Sequence, residues 1–227
     1  MKNLLYILTF IVTTTVIAQS ENSITLEKQK LKQALSYGDD MVAATAMYAI
    51  INLEGPQSTY KDSLAYLYFR ERNYSSCFLV LNDVLKNKPT NLDLLKMQAV
   101  SLESLGAFGK AIEVYKTLLT KTEDNYFAYK LAGLQYALNK FEEAYTSIKK
   151  ADQLPDNTAV KITFQVNKNY SQDINLKASI AYLQGVIELN LKKDNNAKLS
   201  FERAVKLFPD FVLAKGKLES LNTKEKQ

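Results

Sequence analysis

The chain has no histidine and no tryptophan, a single cysteine, four prolines and seven glycines. Without His, the Ser–His–Asp and Cys–His arrangements are excluded, as are helix-borne two-His zinc sites and most bases poised near neutral pH. One thiol, Cys77, cannot form an internal disulfide. The scattered glycines include no phosphate-cradling loop; the stretch Gly106 to Gly109 lacks both the spacing and the lysine of one. Charge of one sign is also scarce. The net charge is +5, and the densest basic spots, Lys192-Lys193 and the tail Lys224-Glu225-Lys226, lie apart. A nucleic-acid footprint needs Lys and Arg gathered on one face, so no nucleic-acid partner is expected.

One long apolar run is present, and it lies at the start. Lys2, the apolar stretch Leu4 to Ile17 and the small-residue site Val16-Ile17-Ala18 read as a signal peptide over 1–18. The run is shorter than the roughly 20 residues of a spanning helix, and Thr13, Thr14 and Thr15 dilute it. The expectation is an exported bacterial protein, periplasmic or extracellular, without stable membrane insertion after cleavage. No Cys stands at the cleavage point, so no lipid anchor is expected.

The remaining chain carries an internal ruler. Ala43, Cys77, Ala111, Ala144 and Ala197 are separated by 34, 34, 33 and 53 residues. Twelve residues before each stand Leu31, Ala65, Ala99, Ala132 and Gly185, all but the first small. Four residues after each comes a large apolar side chain: Met47, Leu81, Tyr115, Ile148 and Phe201. Helices joined by a short turn approach closely only where small side chains occupy the crossing, and i,i+4 partners share a helix face. Gly38, Asn73, Gly106, Asn139 and Asn195 are the expected turn residues, because Gly and Asn tolerate the left-handed conformation. Pro56, Pro89, Pro155 and Pro209 punctuate the pattern.

This period and its small–large–Pro order resemble the tetratricopeptide repeat, a 34-residue helix–turn–helix unit. The resemblance rests on Leu64-Ala65, Tyr68, Asn73-Tyr74, Cys77, Leu81 and Pro89, and on Leu95, Ala99, Gly106, Phe108, Ala111 and Tyr115. It continues through Leu131-Ala132, Phe141, Glu143-Ala144 and Pro155, then Gly185, Ala197, Phe201, Ala204 and Pro209. The implied fold is an all-α, right-handed α-α superhelix of about five helix pairs. Repeats 1–4 fall in 24–155, the first degenerate with Lys30-Leu31 and Asp40 at signature positions, and repeat 5 in 177–210. An amphipathic capping helix over 211–222 and a disordered tail over 223–227 complete the layout.

The 53-residue gap exceeds one period by about nineteen residues. In Val160 to Val166 apolar and polar side chains alternate with a period of two, and Asn167-Lys168-Asn169 supplies a turn. A β-hairpin inserted over 156–176 is expected, with Val160, Ile162, Phe164 and Val166 laid on neighbouring helices. It reads equally as a docking edge for another strand or as a structural plug.

Function follows from the resemblance. In such proteins the first helix of each pair lines a concave surface, which here carries Tyr66, Phe69, Lys96, Tyr126, Tyr129, Tyr136 and Tyr182 as candidate partner-binding residues. Aromatics with a polar tip bury area with few torsions to freeze. The basic clamp that grips a C-terminal carboxylate in some members is absent, since Lys96 stands there beside Val100. Ala43, Ala65, Cys77, Ala99, Ala111, Ala132, Ala144, Gly185 and Ala197 are the expected packing positions, Cys77 as an inert thiol. The resulting expectation is a non-enzymatic scaffold or adaptor for a protein or peptide partner, with no cofactor and no metal. An alternative is a structural subunit of a cell-envelope assembly using the convex face and hairpin edge. A carboxylate-based enzyme is a remote third reading, because Asp39-Asp40 and Glu142-Glu143 sit where helix starts favour acids.

Overall fold

The computed structural model describes residues 22–224. The signal peptide expected over 1–18 lies outside the described residues, as do residues 225–227 of the expected tail. A first helix, α1, covers residues 22–37 of the described chain. It is followed by α2 (Asp40–Glu54), α3 (Tyr60–Arg70), α4 (Tyr74–Asn87), α5 (Leu92–Ser104), α6 (Phe108–Thr122), α7 (Asn125–Ala137) and α8 (Phe141–Gln153). Strands β1 (Lys161–Asn167) and β2 (Tyr170–Asn175) come next, then α9 (Leu176–Asn190), α10 (Asp194–Leu207) and α11 (Val212–Lys224). In chain order these are five helix pairs, one hairpin and a last helix, as the spacing of small residues implies. The chain forms two compact units, one ending at Leu105 and one beginning at Gly106.

In the first unit, Leu31 and Ala34 of α1 meet Ala43, Ala46, Met47 and Ile50 of α2, with Leu64 and Leu67 of α3 closing the cluster. In the second, Ala128 and Ala132 of α7 pack with Ala144, Ile148 and Ala151 of α8 and with Ile180 and Ile187 of α9. Eight of the nine small positions named from the sequence are fully buried, and the ninth, Gly185, is also inside. At Gly185 the approach is so close that an added Cβ would lie 2.7 Å from the Phe201 ring. That pair is the small–large couple of the fifth repeat.

The turns keep the same register and correct the sequence reading at two places. Gly38, Arg72, Gly106, Asn139 and Lys192 all have φ between 55° and 71°. Each lies five residues before the small position of its second helix. At four of the five the next residue donates its N–H five residues back: Asp39 to the Ala34 carbonyl, Asn73 to Tyr68, Lys140 to Gln135 and Lys193 to Glu188, each at 2.9 Å. These 6→1 bonds satisfy carbonyls that a helix end otherwise leaves bare. Asn73 therefore caps α4, accepting from Ser76 N–H, and Asn195 lies inside α10. Packing of the two helices sets where the chain reverses, and Arg72 and Lys192 accept a conformation that costs a non-glycine residue about 1 kcal/mol.

Asp39, Asn91, Asp124 and Asn175 cap α2, α5, α7 and α9 through side-chain oxygens, each contributing on the order of 1 kcal/mol. The hairpin is antiparallel, with Ile162 opposite Ile174 and Phe164 opposite Gln172. Its alternation holds: Ile162, Phe164 and Val166 are half-buried between exposed polar neighbours. Three anchors hold it. At its entry, Asn157 donates its backbone N–H to the Asn125 side chain and its amide to Asp124. In its middle, the buried Gln172 side chain donates to the Asp210 carbonyl at 2.7 Å and accepts from Val212 N–H at 3.0 Å. At its exit, Asn175 donates to the Leu207 carbonyl. The first-turn N–H of α11 is thus satisfied by a side chain from the inserted strand. Among the described residues no helix is long and apolar enough to cross a membrane.

Candidate functional site

The first helices of the second unit bring four phenols together. Tyr126, Tyr129 and Tyr136 of α7 are half-buried beside the α7–α9 core, and Tyr182 of α9 is half-buried next to them. Burial pushes the Tyr129 hydroxyl well above the ordinary phenol range, with the phenols of Tyr126 and Tyr182 adding to the shift. Tyr182 is raised by burial and then by Tyr136. The Tyr136 hydroxyl accepts from the Asn190 amide at 3.1 Å.

Tyr182 differs from the other three. Phe164 of the hairpin stands edge-on to it at 5.4 Å, Phe201 lies at 5.7 Å and Phe211 at 4.9 Å. The chain's own rings surround it, and the hairpin supplies one of them. The sequence pattern placed Phe164 on a helix face without showing that the residue beneath would be a candidate binding residue.

The other candidates belong to the first unit. Tyr66 is 51% exposed and, with Leu35, Met47 and Arg70, lines a groove of about 440 Å³. Phe69 is half-buried, edge-on to Tyr74 at 6.0 Å. Lys96 is exposed and bonded to Asp93 on its own helix. A second groove, of about 460 Å³, runs beside Met41, Tyr48 and Tyr68. There the Tyr48 and Tyr68 hydroxyls meet at 3.0 Å. Burial, and then the hydrogen bond shared with Tyr48, pushes the Tyr68 phenol up to about 12.

The acidic pairs serve helix starts. Asp39 accepts from Val42 N–H, while Glu142 and Glu143 occupy the first turn of α8. Cys77 is buried, and desolvation raises its thiol, which keeps it protonated. Among the described residues no group of three or more Cys, Asp or Glu is placed to hold a metal ion.

Sequence reasoning missed a polar cleft of about 400 Å³ between α8, α9 and α10, lined by residues that include Tyr145, Lys149, Gln184, Glu188, Ser200 and Arg203. Its signal was present. Glu188 stands three residues after Gly185, the place Tyr68 takes after Ala65. A carboxylate in a register otherwise filled by Ala, Tyr, Leu and Gln is out of keeping with plain packing.

Residues 178–211 match the tetratricopeptide repeat family. No curated protein matches the chain in sequence. Among solved structures, YrrB, a TPR protein with an unusual peptide-binding site, is similar with a TM-score of 0.64 at 15% identity, over 89% of this chain and 95% of that one. MamA 41-end from Desulfovibrio magneticus RS-1 is similar with a TM-score of 0.59 at 12% identity, over 84% of this chain and 97% of that one. Another MamA structure gives 0.61 at 11% identity, over 82% and 92%. At such identities the likeness speaks for the fold. Residues 178–211 thus match a tetratricopeptide repeat, and the chain shares the fold of these TPR proteins along most of its length.

Proposed function

We propose that this protein is an exported, non-enzymatic scaffold that receives a protein or peptide partner on the first helices of its second unit. The observation that carries this reading is the group of half-buried phenols on α7, Tyr126, Tyr129 and Tyr136, beside Tyr182 of α9. Rigid rings that are already partly ordered bury area at small entropic cost, and each keeps a hydroxyl for a peptide backbone. YrrB, which has a peptide-binding site, shares the fold, and that supports a partner of the same class. Export rests on the leader read in residues 1–18. The hairpin belongs to the fold in this reading, because Gln172 and Asn175 tie it to the α10–α11 connection.

The test uses peptides selected from a random library against the wild-type protein. Tyr129→Ala with Tyr136→Ala is expected to lower their affinity at least tenfold, about 1.4 kcal/mol, with the helical circular dichroism retained. Selected peptides that bind the folded double variant unchanged would sink the reading. Mass spectrometry of protein from the native host is expected to find Gln19 at the amino terminus; a retained Met1 would remove the export part alone.

A further inference from the structure

The cleft between α8, α9 and α10 holds two opposite charges, Glu188 and Lys149, that have no oppositely charged partner among the described residues. Glu188 is 1% exposed and lines the cleft. Both donors to its carboxylate are neutral: Ser200 hydroxyl to Oε2 at 2.6 Å and Gln184 amide to Oε1 at 2.9 Å. A carboxylate so deeply placed is costly without a cation. Lys149, on the α8 wall, is exposed and stands 5.6 Å from the Tyr145 ring centroid; Lys193 lies over the same ring at 4.4 Å. Arg203 already donates to Asp152 at 2.6 Å and to Gln184 at 3.3 Å, and its Nε is buried without an acceptor.

The repeat register shows what such a place looks like when it is closed. Lys149 lies five residues after Ala144, as Tyr48 lies five after Ala43; Glu188 corresponds to Tyr68. At the α2–α3 contact the two residues touch through their hydroxyls at 3.0 Å. At the α8–α9 contact the corresponding ammonium and carboxylate stand apart across an open volume of about 400 Å³, at the small end of the range for ligand sites.

We propose that this cleft binds a small zwitterion of the amino-acid type, its ammonium directed to Glu188 and Ser200 and its carboxylate to Lys149 at the mouth. Glu188 at the floor disfavours a simple anion there, and Lys149 at the mouth disfavours a simple cation. A free amino acid and a dipeptide share this chemistry. The cleft is lined by the second helices α8 and α10 together with α9, so the proposal does not rest on the peptide reading of the phenols.

Calorimetric titration of the full chain with the twenty common amino acids and glycylglycine tests it. At least one zwitterion is expected to bind with Kd below about 1 mM. Acetylating its amine or esterifying its carboxylate is expected to weaken binding at least tenfold, and whether an amino acid or the dipeptide binds identifies the source. Glu188→Gln and Lys149→Met are each expected to weaken binding about tenfold. Lys149 is exposed, so Lys149→Met keeps the test sound if Glu188→Gln fails to fold. No zwitterion binding below 10 mM, blocked forms binding as well as free ones, or Lys149→Met binding like wild type would each overturn the proposal.

Discussion

Adding one methyl group at Gly185 sets two opposed effects against each other. In an ordinary helix interior, Gly→Ala stabilises by about 1 kcal/mol, because alanine loses less backbone freedom on folding. At Gly185 the new Cβ would lie 2.7 Å from Phe201 Cε1 and 2.9 Å from Cδ1 and Cζ. The ring would have to retreat by several tenths of an ångström to reach ordinary contact. Phe201 is fully buried and packed against Tyr182 at 5.7 Å, so it has little room to do so. Overpacking of this kind costs about 1–3 kcal/mol, which outweighs the propensity gain and leaves a net loss of about 1 kcal/mol.

Gly133, in the middle of α7, is the internal control, since a Cβ there meets nothing within 4 Å. Gly133→Ala is expected to gain about 0.5–1 kcal/mol. Urea denaturation followed by circular dichroism at 222 nm reads both. Phe201→Leu should relieve the damage of Gly185→Ala, with a coupling of about 1–2 kcal/mol in the double-mutant cycle. If Gly185→Ala stabilises as much as Gly133→Ala, the close-approach account of the fifth repeat is wrong.

Further predictions follow from other parts of the fold. Gln172→Ala removes the acceptor for Val212 N–H and the donor to the Asp210 carbonyl; it is expected to cost about 1–2 kcal/mol and to speed amide exchange in the first turn of α11, and unchanged exchange there would refute the capping role. Lys192→Gly relieves a left-handed residue at φ 57° and is expected to raise the midpoint of thermal unfolding, by up to about 1 kcal/mol of stability; a lower midpoint would count against it. Tyr68 keeps its proton to about 12 in the folded chain, above its ordinary 10.0. The folded state therefore binds more protons than the unfolded state above pH 10, so this contribution is complete below about pH 10 and is lost as pH rises toward 12. Tyr68→Phe should flatten that alkaline loss in denaturation measured against pH, and an unchanged slope would refute it.

The repeat was legible because its signals are geometric and recur. Ala65, Ala99, Ala132 and Gly185 mark helix crossings that only small side chains permit, and they lie inside. The hairpin was legible for the same kind of reason, through a period of two between Val160 and Val166. The turn residues were only partly legible. Gly38, Gly106 and Asn139 announce a left-handed position, but Arg72 and Lys192 hold it with no local sign, since the packing of the flanking helices decides. The candidate site was least legible. A first-helix position says that Tyr182 faces the same way as Tyr129; it does not say that Phe164, from eighteen residues earlier, will stand against it. Glu188 and Lys149 are ordinary surface-type residues in composition, and only their place in the register distinguishes them.

The tie between the hairpin and α11 changes how the carboxyl-terminal end comes apart. In a linear array each repeat contacts only its neighbours, so a last helix is supported from one side alone. Here the two Gln172 bonds join residues 38 and 40 positions apart, and Phe164 of the strand lies against Phe211 at 5.0 Å. Peeling α11 away exposes Phe211 and removes the middle of the three anchors of the inserted hairpin in the same event. Opening of α11 is thereby coupled to loosening of the hairpin, so the two are expected to lose amide protection together.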